Sequence, residues 1–477
     1  LISINEAINF NDNDNDIYSN NVSMKVSVSG VRGVFPSDLN LEHVIAYVRA
    51  FSYLALNNSC VLAYDARISS KLISKVASAV LRSKGLDVYN LGIMPTPVLV
   101  RESRERKSIG IMVTASHNPL SWNGIKFIIN GRGIFDEELK EILSRVNEGK
   151  ESVVMHNNGN NKSNNIGIGR EYIMHSTNYI RDSIKFINDN IKGINVAARP
   201  RVVIDASIGT VKGYMQEILF NIGFKDIVVI DSNEPDPTVR SLTELKMHTS
   251  SNGIGFAFDS DADRLVVVNK GKVLSPDDTL LLCIASIISN RGYDSITVSV
   301  DTSNSIRDLA SSYNCKVCYA KVGEANVVKS MLNNNSIIGG EGSSAGFIMS
   351  NFNSCRDAIL ASMLILKAYE HIDKILKEYS RYHTKRGKVS ISTDIDVNKV
   401  IDGIVSKEHD YSEHISIDGA KFIIDEHTWV LVRGSNTEHA IRLSVESISK
   451  DKADTLYRIY EDKILEACKD ARGERYN

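Results

Sequence analysis

One serine and three aspartates carry the most chemistry in this chain. Ser116 stands in Thr114-Ala115-Ser116-His117-Asn118-Pro119, at the end of an apolar run from Ser108 to Val113 that reads as a buried strand. A hydroxyl between small residues suits a covalent phosphoryl carrier, because a nucleophile or its phosphate can face a cleft there. The bland alternative is a strand closed by an Asn-Pro turn. Asp259-Ser260-Asp261-Ala262-Asp263-Arg264 sets carboxylates at i, i+2 and i+4, which an extended segment would place on one side. Three acids so close repel one another unless a cation sits between them, and hard oxygen ligands suit magnesium. A phosphate on Ser116 could be a further ligand. The ion would then draw charge from the phosphoryl group in transfer.

Two other stretches could bind without reacting. Arg433-Gly434-Ser435-Asn436-Thr437-Glu438, with Arg442 beyond it, offers backbone N–H groups, hydroxyls and arginine forks to a phosphate. In Gly339-Gly340-Glu341-Gly342-Ser343-Ser344-Ala345-Gly346, Glu341 can accept from two adjacent sugar hydroxyls and Ser343 can add a contact. Taken alone, that stretch reads equally well as a glycine-rich turn.

Something must position these groups. At 477 residues the chain exceeds one comfortable core, so three or four domains are expected. Strand and helix signals alternate. Cys60–Tyr64 reads as a strand, Leu72 to Val80 as an amphipathic helix ended by Gly85, and Asp87–Leu91 as the next strand. The rhythm repeats with a strand at Arg201–Asp205, a helix at Val211–Asn221 and a strand at Asp226–Ile230. Strands Ile254–Phe258 and Leu265–Val268 flank the acidic loop. A third unit has a helix at Thr279–Ser289, a strand at Ile296–Val300 and a helix at Asp357–His371. From about Arg386 the pattern becomes a hairpin, His414–Ile424, turning at Asp418-Gly419, then strands Thr428–Arg433 and Ala440–Val445 and a terminal helix. The expected organisation is a leader at 1–23, α/β domains at 24–155, 167–268 and 269–383 with a linker at 156–166, and a smaller α+β domain at 384–477.

Composition removes several function classes. A net charge of -2 gives no basic field for nucleic acid. The longest apolar run, Thr279 to Ile288, is about half of the roughly 18 residues a membrane span needs. Asp12, Asp14 and Asp16 imitate a calcium loop, but Ile17 and Ser23 stand where Gly and Glu are required. The Asn- and Asp-rich leader should be disordered, Met24 is an expected natural start, and no secretory signal is expected. Cys315 and Cys318 have zinc-knuckle spacing without a second pair, so the six cysteines read as core thiols in a reducing cytoplasm.

The Ser116 stretch, followed by Asn123-Gly124-Ile125-Lys126, resembles the phosphoserine loop of the α-D-phosphohexomutases, which move phosphate between C1 and C6 of a hexose. The acidic loop is similar to that family's magnesium loop, and the Arg433 and Glu341 stretches to its phosphate and sugar loops. Smaller matches are Ser27 to Gly33, Asp65, Arg67 and Ser69-Ser70, Gly92 to Pro97, and Lys321-Val322-Gly323-Glu324. Two departures stand out: His439 replaces a common proline, and Ala345 occupies the position of a sugar-loop histidine. The second, with Arg356-Asp357-Ala358, leans toward an archaeal-type subgroup.

The resemblance implies three similar α/β domains with mixed sheets and a smaller C-terminal α+β domain around a central cleft. It implies a phosphoserine ping-pong: phospho-Ser116 donates to a hexose monophosphate, and the hexose 1,6-bisphosphate, also an activator, returns its other phosphate. Asp259, Asp261 and Asp263 would hold Mg2+ with Ser116. Arg32 and Lys126 would serve near the serine, as base or as phosphate neutraliser, and His117 would support the loop. Arg264, Lys321, Glu341, Ser343, Arg433, Ser435, Asn436, Thr437 and Arg442 would contact substrate. No nucleic acid or membrane partner is expected, and the protein would be a monomer or homodimer. Glucose and mannose phosphates are the expected substrates, with glucosamine phosphate as the alternative. A hexose-bisphosphate synthase or a noncatalytic binding protein are rival readings, and binding alone would not require three aligned aspartates.

Overall fold

The computed structural model describes residues 24–148, 167–175, 178–190, 200–289, 292–435 and 439–472. The leader at 1–23, the linker at 156–166, Asn436 and Thr437 lie outside the described residues. Contacts divide the chain into two compact units, one formed up to Ser275 together with Gly346–Leu364, the other by Pro276–Ala345 and the chain from Ile365 onward.

The first unit holds two sheets. Ile109–Val113 is buried at every position, pairs in parallel with Ser59–Tyr64, and is antiparallel to Trp122–Ile129. Continuous apolar strands of this kind are what a sheet covered on both faces demands. One face packs with helices Leu41–Ser52 and Ser70–Ser83 around Val48, Phe51, Leu62, Ile111 and Phe127. The other packs Val61, Met112 and Ile128 with Leu99 and Val100 of helix Thr96–Arg106. Register then places the reactive groups. Lys126 lies opposite Met112 and Arg32 opposite Gly124, one strand further out. Gly124 has to be glycine: a Cβ there would stand 2.5 Å from the Val31 carbonyl oxygen and 2.8 Å from that of Thr114. Its bare backbone lets the Arg32 strand close on the Ser116 loop.

The second sheet centres on Arg201–Asp205, parallel to both Ile227–Ile230 and Gly253–Phe258. Gly253–Phe258 and Leu265–Asn269 are antiparallel, buried throughout, and closed by the Phe258–Leu265 pair. The acidic residues occupy the connection. They are therefore not on an extended segment, as their spacing suggests, but in a tight turn with Ala262 at φ +57°. The turn, and not the pleat, makes the carboxylates converge.

In the other unit, Ser295–Ser299 pairs in parallel with Lys316–Ala320 and Ile338–Glu341. The last sheet is antiparallel throughout, in the order His383–Ser390, Ala440–Ser447, Thr428–Gly434, Ala420–Asp425, Glu413–Ile415. Helices Val397–Lys407 and Lys450–Ala471 bury Val400, Ile404, Tyr460 and Ile464 against Phe422, Val430 and Leu443 of this sheet. Most expected elements fall within two residues of these bounds. The exceptions include the helix expected over Asp357–His371, which stops at Lys367. The chain leaves it at Ala368 (φ -79°, ψ 3°) and rewinds over Ile372–Tyr379, a break with no glycine or proline to mark it. No described helix is long and apolar enough to cross a membrane.

Candidate active site

Ser116 is 1% exposed and sits at φ +53°, in the left-handed region that costs a non-glycine residue roughly 1–3 kcal/mol. A buried scaffold holds it there. Thr114 Oγ1 accepts from the Ser116 amide at 2.8 Å while donating to Asp65 Oδ2 at 2.7 Å. Asp65 pairs with Arg67, whose guanidinium donates to the carbonyls of Ser116, Asn118, Pro119 and Trp122 at 2.5–3.1 Å. One arginine thus fixes the whole Ser116–Trp122 loop, because its five N–H donors can serve several carbonyls at once.

The Ser116 hydroxyl donates to Asp259 Oδ2 at 2.7 Å, and its oxygen is 3.3 Å from His117 Nδ1. Asp259 Oδ1 accepts from the amides of Asp263 and Arg264, each at 3.0 Å. Asp261 Oδ2 accepts from Thr96 Oγ1 and Lys126 Nζ, both at 2.5 Å. Asp263 Oδ2 accepts from Lys126 Nζ at 2.7 Å and Arg356 at 2.9 Å. Among the described residues, the remaining oxygens, Asp261 Oδ1 and Asp263 Oδ1, are buried with no hydrogen-bond partner. An unpaired buried oxygen costs roughly 1–3 kcal/mol or more when charged, so two side by side need an explanation. Each of the three acids offers a ligand atom, and these lie within 4.8 Å of one another. The set is all oxygen, with one oxygen of each acid anchored, and so fits a small hard cation.

Electrostatics sort the group. Burial, together with the charges of Asp263 and Asp261, pushes the Asp259 carboxyl well above its ordinary range. Burial works the same way on Asp263, but Arg356, Lys126 and Arg264 overcome it and hold that carboxyl well below its usual value. Burial, with Arg264 and Arg32 nearby, lowers His117 to about 2, which favours a neutral ring beside the serine oxygen. Arg32 donates to Asn118 Oδ1 at 3.4 Å and to the Ser29 carbonyl.

Apart from Arg264, the expected binding residues among the described residues lie in the other unit. Glu341 Oε1 accepts from the Gly323 amide at 2.7 Å, and the Ser344 hydroxyl donates to its Oε2 at 3.4 Å. Arg433 and Arg442 stand directly opposite each other on neighbouring strands. The Ser435 amide donates to the Ala440 carbonyl, closing the turn between those strands. Lys321 is exposed, while Ser343, Arg433, Ser435 and Arg442 are half-buried.

Comparison with known proteins bears on the family and the fold. Residues 23–153 match the family model described as phosphoglucomutase/phosphomannomutase, alpha/beta/alpha domain I, and residues 275–387 match its domain III, together just over half of the chain. The chain belongs to the α-D-phosphohexomutase superfamily. A relative in Methanosphaera stadtmanae named "Probable phosphoglucosamine mutase" is 29% identical over 90% of this chain and 96% of its own. The phosphoglucosamine mutase of Methanococcus maripaludis strain C7 is 28% identical over 87% and 94%. In fold, the chain is similar to a phosphoglucomutase/phosphomannomutase family protein from Burkholderia thailandensis, with a TM-score of 0.75 at 20% identity, over 94% of this chain and 98% of that one. The Aspergillus fumigatus N-acetylphosphoglucosamine mutase, solved with GlcNAc-6P and magnesium, aligns with a TM-score of 0.55 at 12% identity over 92% and 95%.

This phosphohexomutase is therefore an enzyme of the intramolecular phosphotransferase class. Its unit with the serine brings together Ser116, His117, Lys126, Arg32, Arg264 and all three aspartates. Two contributors had no assigned role in the sequence reading. Thr96 lies in the Gly92 to Pro97 stretch, and Arg356 served there only as a subgroup marker. Their signal was present, a hydroxyl and a guanidinium in matched stretches, but nothing in the spacing joins either to an acid more than ninety residues away.

Proposed function

We propose that this enzyme interconverts hexose 1-phosphate and hexose 6-phosphate through phospho-Ser116, with glucosamine phosphate as its preferred substrate. One observation carries the mechanism: the Ser116 hydroxyl is held 2.7 Å from Asp259 within a ring of acids that keeps two buried oxygens unpaired. Asp259, Asp261 and Asp263, with the Ser116 phosphate, would hold Mg2+, which when bound supplies positive charge to the phosphoryl oxygens.

In the first half-reaction the P–O bond to Ser116 breaks and a bond from phosphorus to the free C1 or C6 oxygen forms, the sugar hydroxyl giving up its proton and the serine oxygen taking one up, which yields the bisphosphate and free Ser116. In the second, Ser116 takes back the other phosphate. Arg67 keeps the serine loop in place through both. Lys126 donates to two carboxylates, which supports charge neutralisation over proton abstraction as its role. Glu341 and Ser343 would read the C3 and C4 hydroxyls, and Arg433, Ser435, Asn436, Thr437 and Arg442 the nonreacting phosphate, with Lys321 beside the sugar.

Glucose and mannose were the first expectation, and the names of the relatives favour the amino sugar instead. We take the four sheets to mark four domains, which the two matched family segments support for the first and third; Glu171–Ile173 pairs with Asp87–Ile93 in the first sheet, so the boundary expected at 155–167 lies beyond residue 173, with later bounds as expected near 268 and 383. The six unbridged cysteines support a cytoplasmic setting. The test is turnover with magnesium and a trace of hexose 1,6-bisphosphate, comparing glucosamine, glucose and mannose 1-phosphates by kcat/KM. A preference of about tenfold or more for glucosamine 1-phosphate is expected. Equal or better use of glucose and mannose overturns the substrate assignment, and stoichiometric demand for a phosphoryl donor overturns the mutase.

A further inference from the structure

Two residues expected to face the substrate, Lys321 and Arg433, lie near a carboxylate that has no part in the reading so far, and a third, Glu341, is held by the backbone beside it. Asp418 sits at the tip of the hairpin between Glu413–Ile415 and Ala420–Asp425. Its Oδ2 accepts from the Val322 amide at 3.1 Å and lies 4.0 Å from Arg433 Nε. Lys321 and the acid Asp301 are both within electrostatic reach. The next amide along, Gly323, donates to Glu341 Oε1 at 2.7 Å. Two successive backbone N–H groups thus point at two different carboxylates. Gly323 permits this with φ +123°, a conformation open to glycine and strained for other residues.

The turn is also seated on the arginine. Gly419 has φ +72°, and a Cβ there would stand 2.7 Å from Arg433 Cα and 2.3 Å from the Val432 carbonyl oxygen. A movement of Arg433 therefore passes to the Asp418 turn, and from its Oδ2 through residues 322 and 323 to Glu341. The side chains of Arg433 and Asp418 are only 13% and 17% exposed, so water screens their charges weakly.

We propose that Asp418 is a positioning residue that couples the phosphate grip at Arg433 to the sugar grip at Glu341. The proposal rests on the phosphohexomutase reading. Its alternative is that Asp418 merely shapes an Asp-Gly turn. Asparagine serves such a turn as well as aspartate, and its amide oxygen can still accept from Val322, but it carries no charge toward Arg433 or Lys321.

Asp418→Asn in the full-length enzyme separates the two. Coupling predicts an unchanged Tm and a KM for glucosamine 1-phosphate raised about tenfold with kcat altered less than about threefold. In a double-mutant cycle the same change should cost much less when Glu341→Gln is already present. A Asp418→Asn enzyme with wild-type KM, or losses that simply multiply with those of Glu341→Gln, overturns the coupling. Failure of the wild type to turn over any hexose phosphate would instead overturn the functional reading, before any variant is compared.

Discussion

The two units treat charge in opposite ways. Around Ser116, three carboxylates and Lys126 are all less than a tenth exposed, each acid has one oxygen pinned, and two backbone positions, Ser116 and Ala262, are held at positive φ. In the other unit Lys321 is exposed, and Arg433, Arg442, Ser343 and Ser435 are half-buried. The difference follows from the tasks. Phosphoryl transfer is accelerated by charges already desolvated and oriented before the substrate arrives. A grip that admits a sugar phosphate in either orientation, as proposed above, would have its donors nearer the surface, though Glu341 and the Arg433 side chain remain largely buried.

Removing Ser116 should break the first unit's chemistry most completely. Ser116→Ala is expected to lower turnover by at least about 10⁴-fold with the thermal transition intact, since only one hydroxyl is lost. Turnover near wild type would remove the serine from the mechanism. Next in size, Asp263→Asn should cost about 10²–10³ in kcat, because Lys126 and Arg356 would face a neutral amide. A chelator should silence the wild type reversibly, with Mg2+ restoring it; chelator-resistant activity would contradict the metal assignment.

Arg67→Ala tests preorganisation itself. It leaves Asp65 buried and four carbonyls without their donor, and should cost on the order of 3–5 kcal/mol of stability by chemical denaturation, with kcat falling more than KM rises. A stable, fully active Arg67→Ala enzyme would show that the loop needs no anchor.

The smallest effect belongs to the second unit, which has a buried charge of its own. Lys421 is 1% exposed, donates to the Val300 carbonyl at 2.7 Å, and is pushed by burial to about 8 from an ordinary 10.5. Above pH 8 the folded lysine is neutral while the unfolded one still binds its proton. Stability should therefore rise between about pH 8 and 10.5, by at most about 3 kcal/mol, and be lower and flat in this respect below pH 8. Denaturation of wild type and Lys421→Met across that window should show the rise in the wild type alone. Parallel curves would mean that Lys421 stays charged.

Local chemistry was the most legible part of the sequence. Three acids at alternate positions and a serine after an apolar strand stand out because like charges need a counter-ion and a hydroxyl at a strand end needs an opening, and the structure does bring the four together. Strands such as Arg201–Asp205 were readable because continuous apolar runs are rare outside buried sheets. Long-range partners were not. The bond between Arg356 and Asp263, or between Thr96 and Asp261, depends on tertiary placement that no periodicity encodes. The turn geometry of the acidic loop was missed for a related reason: alternation suggests an extended chain, and Ala262 at positive φ carries no glycine to warn of it.

The segment Gly346–Leu364 groups with the first unit although the chain has already entered the second. It brings Arg356 to Asp263 and the Ala358 amide to the Ala262 carbonyl at 3.3 Å. A polypeptide emerging from the ribosome therefore cannot finish its acidic centre until the segment around Arg356 has been made. Ser116, synthesised earlier, has to wait for a later-arriving arginine, so a chain terminated before Arg356 carries the serine and the three acids without that guanidinium to balance them.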